Sequence, residues 1–511
     1  MRAAHKRRLR RGNMRTYICV YFGSAYLALL TTPLVIWLAR RIGAVDRPSI
    51  RSVHTKPIPR IGGIAIYLSS VCLIVSLFFL NNLIGERFWD VRLQVATLLC
   101  SATCVFLVGL VDDLRGLPAS FKFMVELLGA GALCLAGVRI GNIGFGGGTT
   151  ISLGWLGYPI TLLWIVGVTN AVNMSDGLDG LAAGITAVAC GVIAIFAIYG
   201  STIHSGLARS NDVMMALFAL ALLGSLSGFL FFNFSPAKVF MGDCGSLFIG
   251  FTIAAASVMC VSKSTAVVGL ALPALALGIP IFDTLFSMLR RFLERRSLFA
   301  PDRSHFHHRL LALGLTQRRA VIIIYVATLM ATGLGLLMML SSNISSLVVF
   351  GVVLCLILLL FRSVGAIRLQ ETLSRLQSKY RSSRGEREDR KTFEHLQLQF
   401  RQAHDAGQSW QAICEAARRM DFVWVCLKTT GEDGRAEEEL WRTPDSKLDL
   451  SRVVTMTIPL SAREGSSRQL EIAISVNGSL EAASRRATLI GRIIDEQDPA
   501  AIAPVTGKGR L

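Results

Sequence analysis

The sequence predicts an all-α polytopic membrane protein of about eleven transmembrane helices, followed by a small soluble α+β domain. Three observations predict it. The 511-residue chain is 52% hydrophobic and 17% charged, well away from the soluble average. Apolar runs of about 20 residues, the length that crosses a bilayer, recur as far as Phe361. Beyond Phe361 charges crowd in, and no later run is long enough to cross.

The first apolar run, Tyr17 to Ala39, exceeds the core of about 7 to 15 residues found in cleaved signals, so it reads as a retained helix. Further spans centre near residues 71, 101, 129, 162, 190, 223, 254, 275, 331 and 353. The Gly-rich stretch from Gly137 to Gly154 predicts an irregular or β element inside this series. The 11 cysteines lie mostly within apolar runs and form no CxxC pair, which suits small core residues better than a disulfide or zinc framework. The transmembrane domain is therefore placed at 16–362.

Leu369, Leu373, Leu376 and Tyr380 fall at helical spacing, and a charged run from Arg381 to Lys391 follows. Residues 363–392 thus read as an amphipathic helix and linker. In the domain at 393–511, Trp410, Ile413, Ala417 and Met420 predict a helix. Strands are expected at Phe422 to Lys428, Val454 to Leu460 and Leu470 to Val476, then a helix near Ala482 to Ile494.

With alternating spans, the loops after helices 1, 3, 5, 7 and 9 share one side and carry most of the Lys and Arg, which places them and the tail in the cytoplasm. The basic residues from Arg2 to Arg15 conflict with this, and initiation at Met14 removes most of the conflict. The formal net charge of +19 is read as anchoring to membrane lipid, with no role for nucleic acid.

Every unusual polar motif falls in that basic set of loops. They are His54-Thr-Lys56-Pro-Ile-Pro59-Arg60-Ile-Gly62-Gly63; Asp112-Asp113; Asn170-Ala-Val-Asn173-Met-Ser-Asp176-Gly177-Leu178-Asp179-Gly180; Phe240-Met-Gly-Asp243-Cys-Gly245-Ser246; and Asp302-Arg303-Ser-His305-Phe-His307-His308. A carboxylate inside hydrocarbon costs about 2.5 to 3.5 kcal/mol on insertion scales, so such residues face a cavity, a partner or a ligand. Adjacent acids such as Asp112 and Asp113 repel unless a cation or a shared proton intervenes, and few carboxylates plus phosphate suit Mg²⁺. Asp176, Asp179 and Asp243 are candidates to complete that site. Glycines around an acid at 242–245 allow close backbone approach to an anion or metal, although a plain tight turn fits as well. Arg303, His305, His307 and His308 suit phosphate oxygens better than zinc, because neither thiolates nor an i, i+4 histidine pair accompany them. Asp283 pairs with a basic neighbour such as Arg290 or shapes the pocket; the sequence leaves both open.

Taken together, these motifs resemble the polyprenyl-phosphate N-acetylhexosamine-1-phosphate transferases, glycosyltransferase family 4, over residues 16 to 362. The resemblance implies transfer of a sugar-1-phosphate from a UDP-N-acetylhexosamine to undecaprenyl phosphate, with Mg²⁺, or Mn²⁺ in its place, as cofactor. It implies catalytic roles for Asp112, Asp113, Asp176, His305, His307 and His308, and metal contacts for Asp243, Asn173 and Asp176. It assigns substrate binding to Lys56 (or His54), Asn170, Asn173, Gly177, Leu178, Asp179, Phe240 and Arg303. The histidine loop is similar to that of the GlcNAc-1-phosphate type; the muramoyl-pentapeptide type, with three adjacent histidines, is the alternative. The third acid that some relatives carry after the double Asp is missing here, where Arg115-Gly116 follows. A homodimer, and a partner protein for the carboxyl-terminal domain, stay open. The rival of another class is a secondary transporter, but transporters hold their acids near the midplane and these acids gather at helix ends.

Overall fold

The computed structural model describes residues 2–48, 57–80, 83–144, 150–203, 210–261, 273–293, 305–340, 345–364, 390–391, 393–394, 397, 406–420, 422–430, 436–444, 453–460, 467–476 and 480–495. It divides into two compact units, Met1–Arg368 and Leu369–Leu511.

In the first unit, α1 (Arg2–Ile42) is followed by a minimal hairpin of β1 (Val45–Asp46) and β2 (Ile58–Pro59), then α2 (Gly63–Ser76), α3 (Leu83–Asp90), α4 (Arg92–Arg115) and α5 (Ala119–Leu135). A second hairpin, β3 (Asn142–Gly144) with β4 (Thr150–Ser152), occupies the Gly-rich stretch. Then come α6 (Gly157–Ser175), α7 (Leu181–Ile203), α8 (Ser210–Asn233), α9 (Gly242–Val261), α10 (Gly278–Leu293), α11 (Phe306–Ala312), α12 (Gln317–Leu340) and α13 (Ser345–Ser363).

Among the described residues seven helices are long and apolar enough to cross a membrane, or eight if α2 and α3, bent by 102°, form one span. The expected count of eleven is not reproduced. α5 holds Lys122 and Glu126 within 17 residues, and α10 buries Asp283, Ser287 and Arg291 on one face. The first part of the span expected near 275 lies outside the described residues. With these helices and this family of motifs, the chain is a multi-pass membrane protein.

The most buried span is Gly242–Met259, 89% of whose apolar window is enclosed, against 28% for Met14–Ile42. α9 is therefore the hub, packed on α4, α6 and α8, while α1 lies at the periphery against α8 and α2. Small residues make the hub possible, as they do between membrane helices generally. A Cβ on Gly109 of α4 would stand 2.7 Å from the backbone of Asp243 and Cys244, and one on Gly63 would overlap the backbone of Gly245.

The second unit is an antiparallel sheet in the order β6-β5-β8-β7, from β5 (Phe422–Thr430), β6 (Ala436–Arg442), β7 (Val453–Leu460) and β8 (Ser467–Ser475). Helices α14 (Ala406–Arg419) and α15 (Leu480–Asp495) close its core through Ile413, Ala417, Ala487 and Ile490 over Val425, Leu427 and Ile472. Among the described strands of this unit, β6, with Glu437, Glu438 and Glu439, is the one the sequence pattern did not predict. Most of the helix and linker expected at 363–392 lies outside the described residues.

Candidate active site

Three turns meet at the start of α9. Gly116, at φ +74°, ends α4, and its N–H donates to Asp112 O at 2.8 Å. Gly242, at φ +73°, opens α9 where any Cβ would overlap Arg60 O and stand 2.5 Å from Asp113 Oδ2. The segment ahead of α2 is laid alongside this turn: Phe240 N donates to Pro59 O at 2.7 Å, Gly62 N to Phe240 O at 3.0 Å and Gly63 N to Met241 O at 2.8 Å. Gly62-Gly63 thus serves the α9 turn.

The two adjacent acids have separate duties. Asp113 is buried, and its carboxylate accepts the backbone N–H groups of Asp243 and Cys244, each at 2.9 Å, capping α9. Asp112 faces the other way and accepts Lys122 Nζ at 2.8 Å; the same ammonium reaches Asp243 Oδ2 at 2.6 Å. One turn along α5, buried Glu126 accepts the side-chain amide of Asn170, which also donates to Val166 O at 2.9 Å.

A cavity of about 910 Å³ opens in front of this cluster. Asn173, Asp176, Gly177, Leu178 and Asp179 form one wall, Phe240 and Asp243 another, and His308 the rim. Asp179 Oδ2 accepts Ala237 N at 3.0 Å, and Tyr325 of α12 donates to Gly180 O at 2.5 Å, so the turn between α6 and α7 is held from both sides. Arg40, Arg60 and Lys238 bring positive charge to the same space, and Asn233, otherwise bound through Nδ2 to Val239 O, presents a buried Oδ1 with no hydrogen-bond partner.

Sequence reasoning and structure part company at several positions. Asn170 is tied to Glu126 rather than lining the cavity. Of the histidines, only His308 lines it. His305 and His307 are buried behind the rim, where His305 Nδ1 lies 3.2 Å from Asp283 Oδ2 and a Cβ on Gly177 would meet His307 Nε2 at 2.6 Å. Asp283 Oδ1 also accepts Phe306 N at 2.8 Å, so this acid, open between two roles in the sequence, anchors the start of α11. Lys56, its alternative His54, and Arg303 lie outside the described residues. Lys122, Glu126, Arg60 and Asn233 were not predicted; a Lys and a Glu four residues apart in an apolar run was the available signal.

Burial, and after it the charges of Asp243, Asp113 and Asp179, push the Asp176 carboxyl up to about 8; a cation is the ordinary remedy for such crowding. Among the described residues no group of three His, Cys, Asp or Glu side chains is arranged to hold a metal by itself. Mg²⁺ takes as few as one or two carboxylates and completes its shell with water and substrate phosphate. Asp112 and Asp243 already converge on a single cationic point, the Lys122 ammonium.

Burial drives His307 down to about 3, with His308 and His305 adding to the fall and Asp283 opposing it. Its folded value lies below the ordinary value of about 6.5, so the unfolded chain takes up the proton first. The stabilising contribution is complete above about 6.5 and is lost as pH falls toward about 3. Replacement of His307 by Gln is expected to flatten the decline of the thermal midpoint between about pH 6.5 and 4. A decline as steep as the parent's would show that His307 is not the group responsible.

Comparison with known proteins gives the family of the chain. The model for glycosyl transferase family 4 matches residues 95–261. A probable undecaprenyl-phosphate N-acetylglucosaminyl 1-phosphate transferase of Bacillus subtilis (strain 168) is 39% identical over 310 residues, 60% of this chain and 81% of that protein. The decaprenyl-phosphate N-acetylglucosaminephosphotransferase of Mycobacterium leprae is 35% identical over 331 residues, 61% of this chain and 81% of that protein. The undecaprenyl-phosphate alpha-N-acetylglucosaminyl 1-phosphate transferase of Escherichia coli (strain K12) is 27% identical over 359 residues, 68% of this chain and 91% of that protein. The chain belongs to glycosyl transferase family 4, the polyprenyl-phosphate N-acetylhexosamine-1-phosphate transferases that its loop motifs resemble.

Proposed function

We propose that the enzyme transfers GlcNAc-1-phosphate from UDP-GlcNAc to undecaprenyl phosphate at the cytoplasmic face of a bacterial inner membrane. The observation that carries this reading is a single cavity in which an apolar and amide-bearing wall, a carboxylate cluster and a basic side meet at the ends of apolar helices. A nucleotide fits those three surfaces in turn. The relatives' names favour the GlcNAc type over the muramoyl-pentapeptide type.

The acceptor phosphate oxygen forms a bond to the phosphorus that carries the sugar, while the bond from that phosphorus to UMP breaks. The products are UMP and a lipid-linked pyrophosphoryl sugar. Catalysis of this kind is positioning and charge stabilisation. Gly177, Leu178, Asp179 and Phe240 hold the uridine end; Asn173, Asp176 and Asp243 face the diphosphate. Lys122 screens Asp112 and Asp243 so that an anion can approach them. Asp112 aligns the acceptor phosphate or keeps it deprotonated, and His308 steadies oxygens on the sugar side. When bound, Mg²⁺ supplies charge stabilisation for the departing UMP. Asp113, His305 and His307 act from behind by fixing the α9 turn and the histidine rim.

Membranes containing the protein, given undecaprenyl phosphate and a panel of UDP-sugars, are expected to release UMP with UDP-GlcNAc or a close N-acetylhexosamine and to form the matching lipid by mass. Product from UDP-muramoyl-pentapeptide alone would reverse the choice of donor.

A further inference from the structure

Arg60 stands at the acidic cavity with its guanidinium unclaimed. The backbone around it is fixed on both sides: Arg60 N donates to Ala44 O at 3.2 Å, Pro59 O accepts Phe240 N at 2.7 Å, and Arg60 O faces Gly242, where a Cβ could not be placed. The backbone of the residue is thereby locked against the turn from Phe240 to Gly242. Its side chain lines the cavity, and its Nε is buried without a hydrogen-bond partner. Among the described residues the guanidinium makes no ion pair, although Asp46, Asp176, Asp179 and Asp243 line the same space.

A buried, unsatisfied donor on a charged group is costly. It persists where a ligand completes it. A planar fork of N–H groups suits phosphate oxygens better than a point charge does, and Arg40 and Lys238 line the same cavity, which favours an anionic group there. Backbone pairing sets the Arg60 segment beside Phe240, the aromatic assigned to the base, and the same cavity holds Asp243, the acid assigned to the diphosphate. Of the two phosphates of a nucleotide diphosphate, the one nearer the base is the nucleoside-side phosphate.

We propose that Arg60 binds an oxygen of that phosphate in the nucleotide donor. The proposal rests on the cavity being a nucleotide site. The same chemistry is offered by the phosphate of the polyprenyl acceptor, so the test separates the two sources.

The full chain and its Arg60→Gln and Arg60→Lys variants, purified in detergent, are compared for binding of UMP and of uridine by calorimetry, and for the KM of each substrate. Arg60→Gln is expected to weaken UMP about 10- to 100-fold, as loss of a charge-assisted hydrogen bond does, with uridine changed less than about twofold. Arg60→Lys recovers part of the loss. The KM for the UDP-sugar rises and that for the lipid phosphate stays. Unchanged UMP affinity, or equal losses for UMP and uridine, would overturn the proposal. So would a rise in KM for the lipid phosphate alone, which reassigns Arg60 to the acceptor. If Arg60→Gln does not fold, the UMP-to-uridine ratio in Arg60→Lys decides. UMP binding is read without turnover, so an inactive parent chain would count against the proposed function and leave this test standing.

Discussion

Asp243→Asn is expected to lower turnover by about 10²- to 10³-fold, the loss of roughly 3 to 4 kcal/mol of charge stabilisation, while the protein stays folded. The substitution keeps the shape of the side chain and leaves the backbone N–H of residue 243 donating to Asp113 at 2.9 Å. It removes the charge that Lys122 shares with Asp112, whose own contact at 2.8 Å persists. Lys122 keeps Asp112 as its partner, and the carboxylate proposed to hold Mg²⁺ is gone. UMP release assayed over a Mg²⁺ series, beside a thermal unfolding curve in detergent, checks both halves. Turnover undiminished at saturating Mg²⁺ would remove Asp243 from the chemistry.

Asp113 predicts the opposite pattern. Its side chain is buried and accepts two N–H groups of the first turn of α9. Asp113→Ala leaves both donors enclosed without partners, at about 1 to 3 kcal/mol each, and frees the turn that presents Asp243. Stability and turnover are therefore expected to fall together. Asp113→Asn keeps one acceptor oxygen and is expected to fall between the parent and the alanine variant on both scales. A variant with the parent's unfolding midpoint and no turnover would show that Asp113 acts on substrate directly.

The difference between neighbouring acids is what the sequence could not reveal. Asp112 and Asp113 are equivalent as a motif; they separate because successive residues of α4 point about 100° apart, one toward α9 and the other toward Lys122. Lys122 was hidden in an apolar run, 121 positions from the Asp243 it contacts. Arg60 was lost within a loop where charge is common, and only the backbone pairing of Pro59 and Gly62 with Phe240 brings it to the cavity. The histidines were legible as a cluster but not by face, since α11 turns His308 outward and leaves His307 against Gly177. The gathering of the Asn173–Asp179, Phe240–Asp243 and Asp112-Asp113 motifs was legible because acids, amides and glycines at the ends of apolar runs have few other uses in a membrane.

The same physics explains the fold. Long, uniformly apolar helices such as α4, α8 and α9 are read directly from composition, whereas a bend of 102° between α2 and α3 and the polar face of α10 depend on tertiary partners. In the second unit, the strands that contribute to the buried core announced themselves through β-branched and aromatic residues. β6 did not, because an exposed edge strand tolerates the three glutamates that keep it from pairing further.

The proposed reaction moves a sugar together with its phosphate. The most direct measurement uses UDP-GlcNAc labelled with ³²P at the sugar-bearing phosphate, incubated with the purified chain, undecaprenyl phosphate and Mg²⁺. The label is expected to pass into the lipid, with unlabelled UMP released in equal amount. Label retained in UDP, with sugar alone on the lipid, would contradict it.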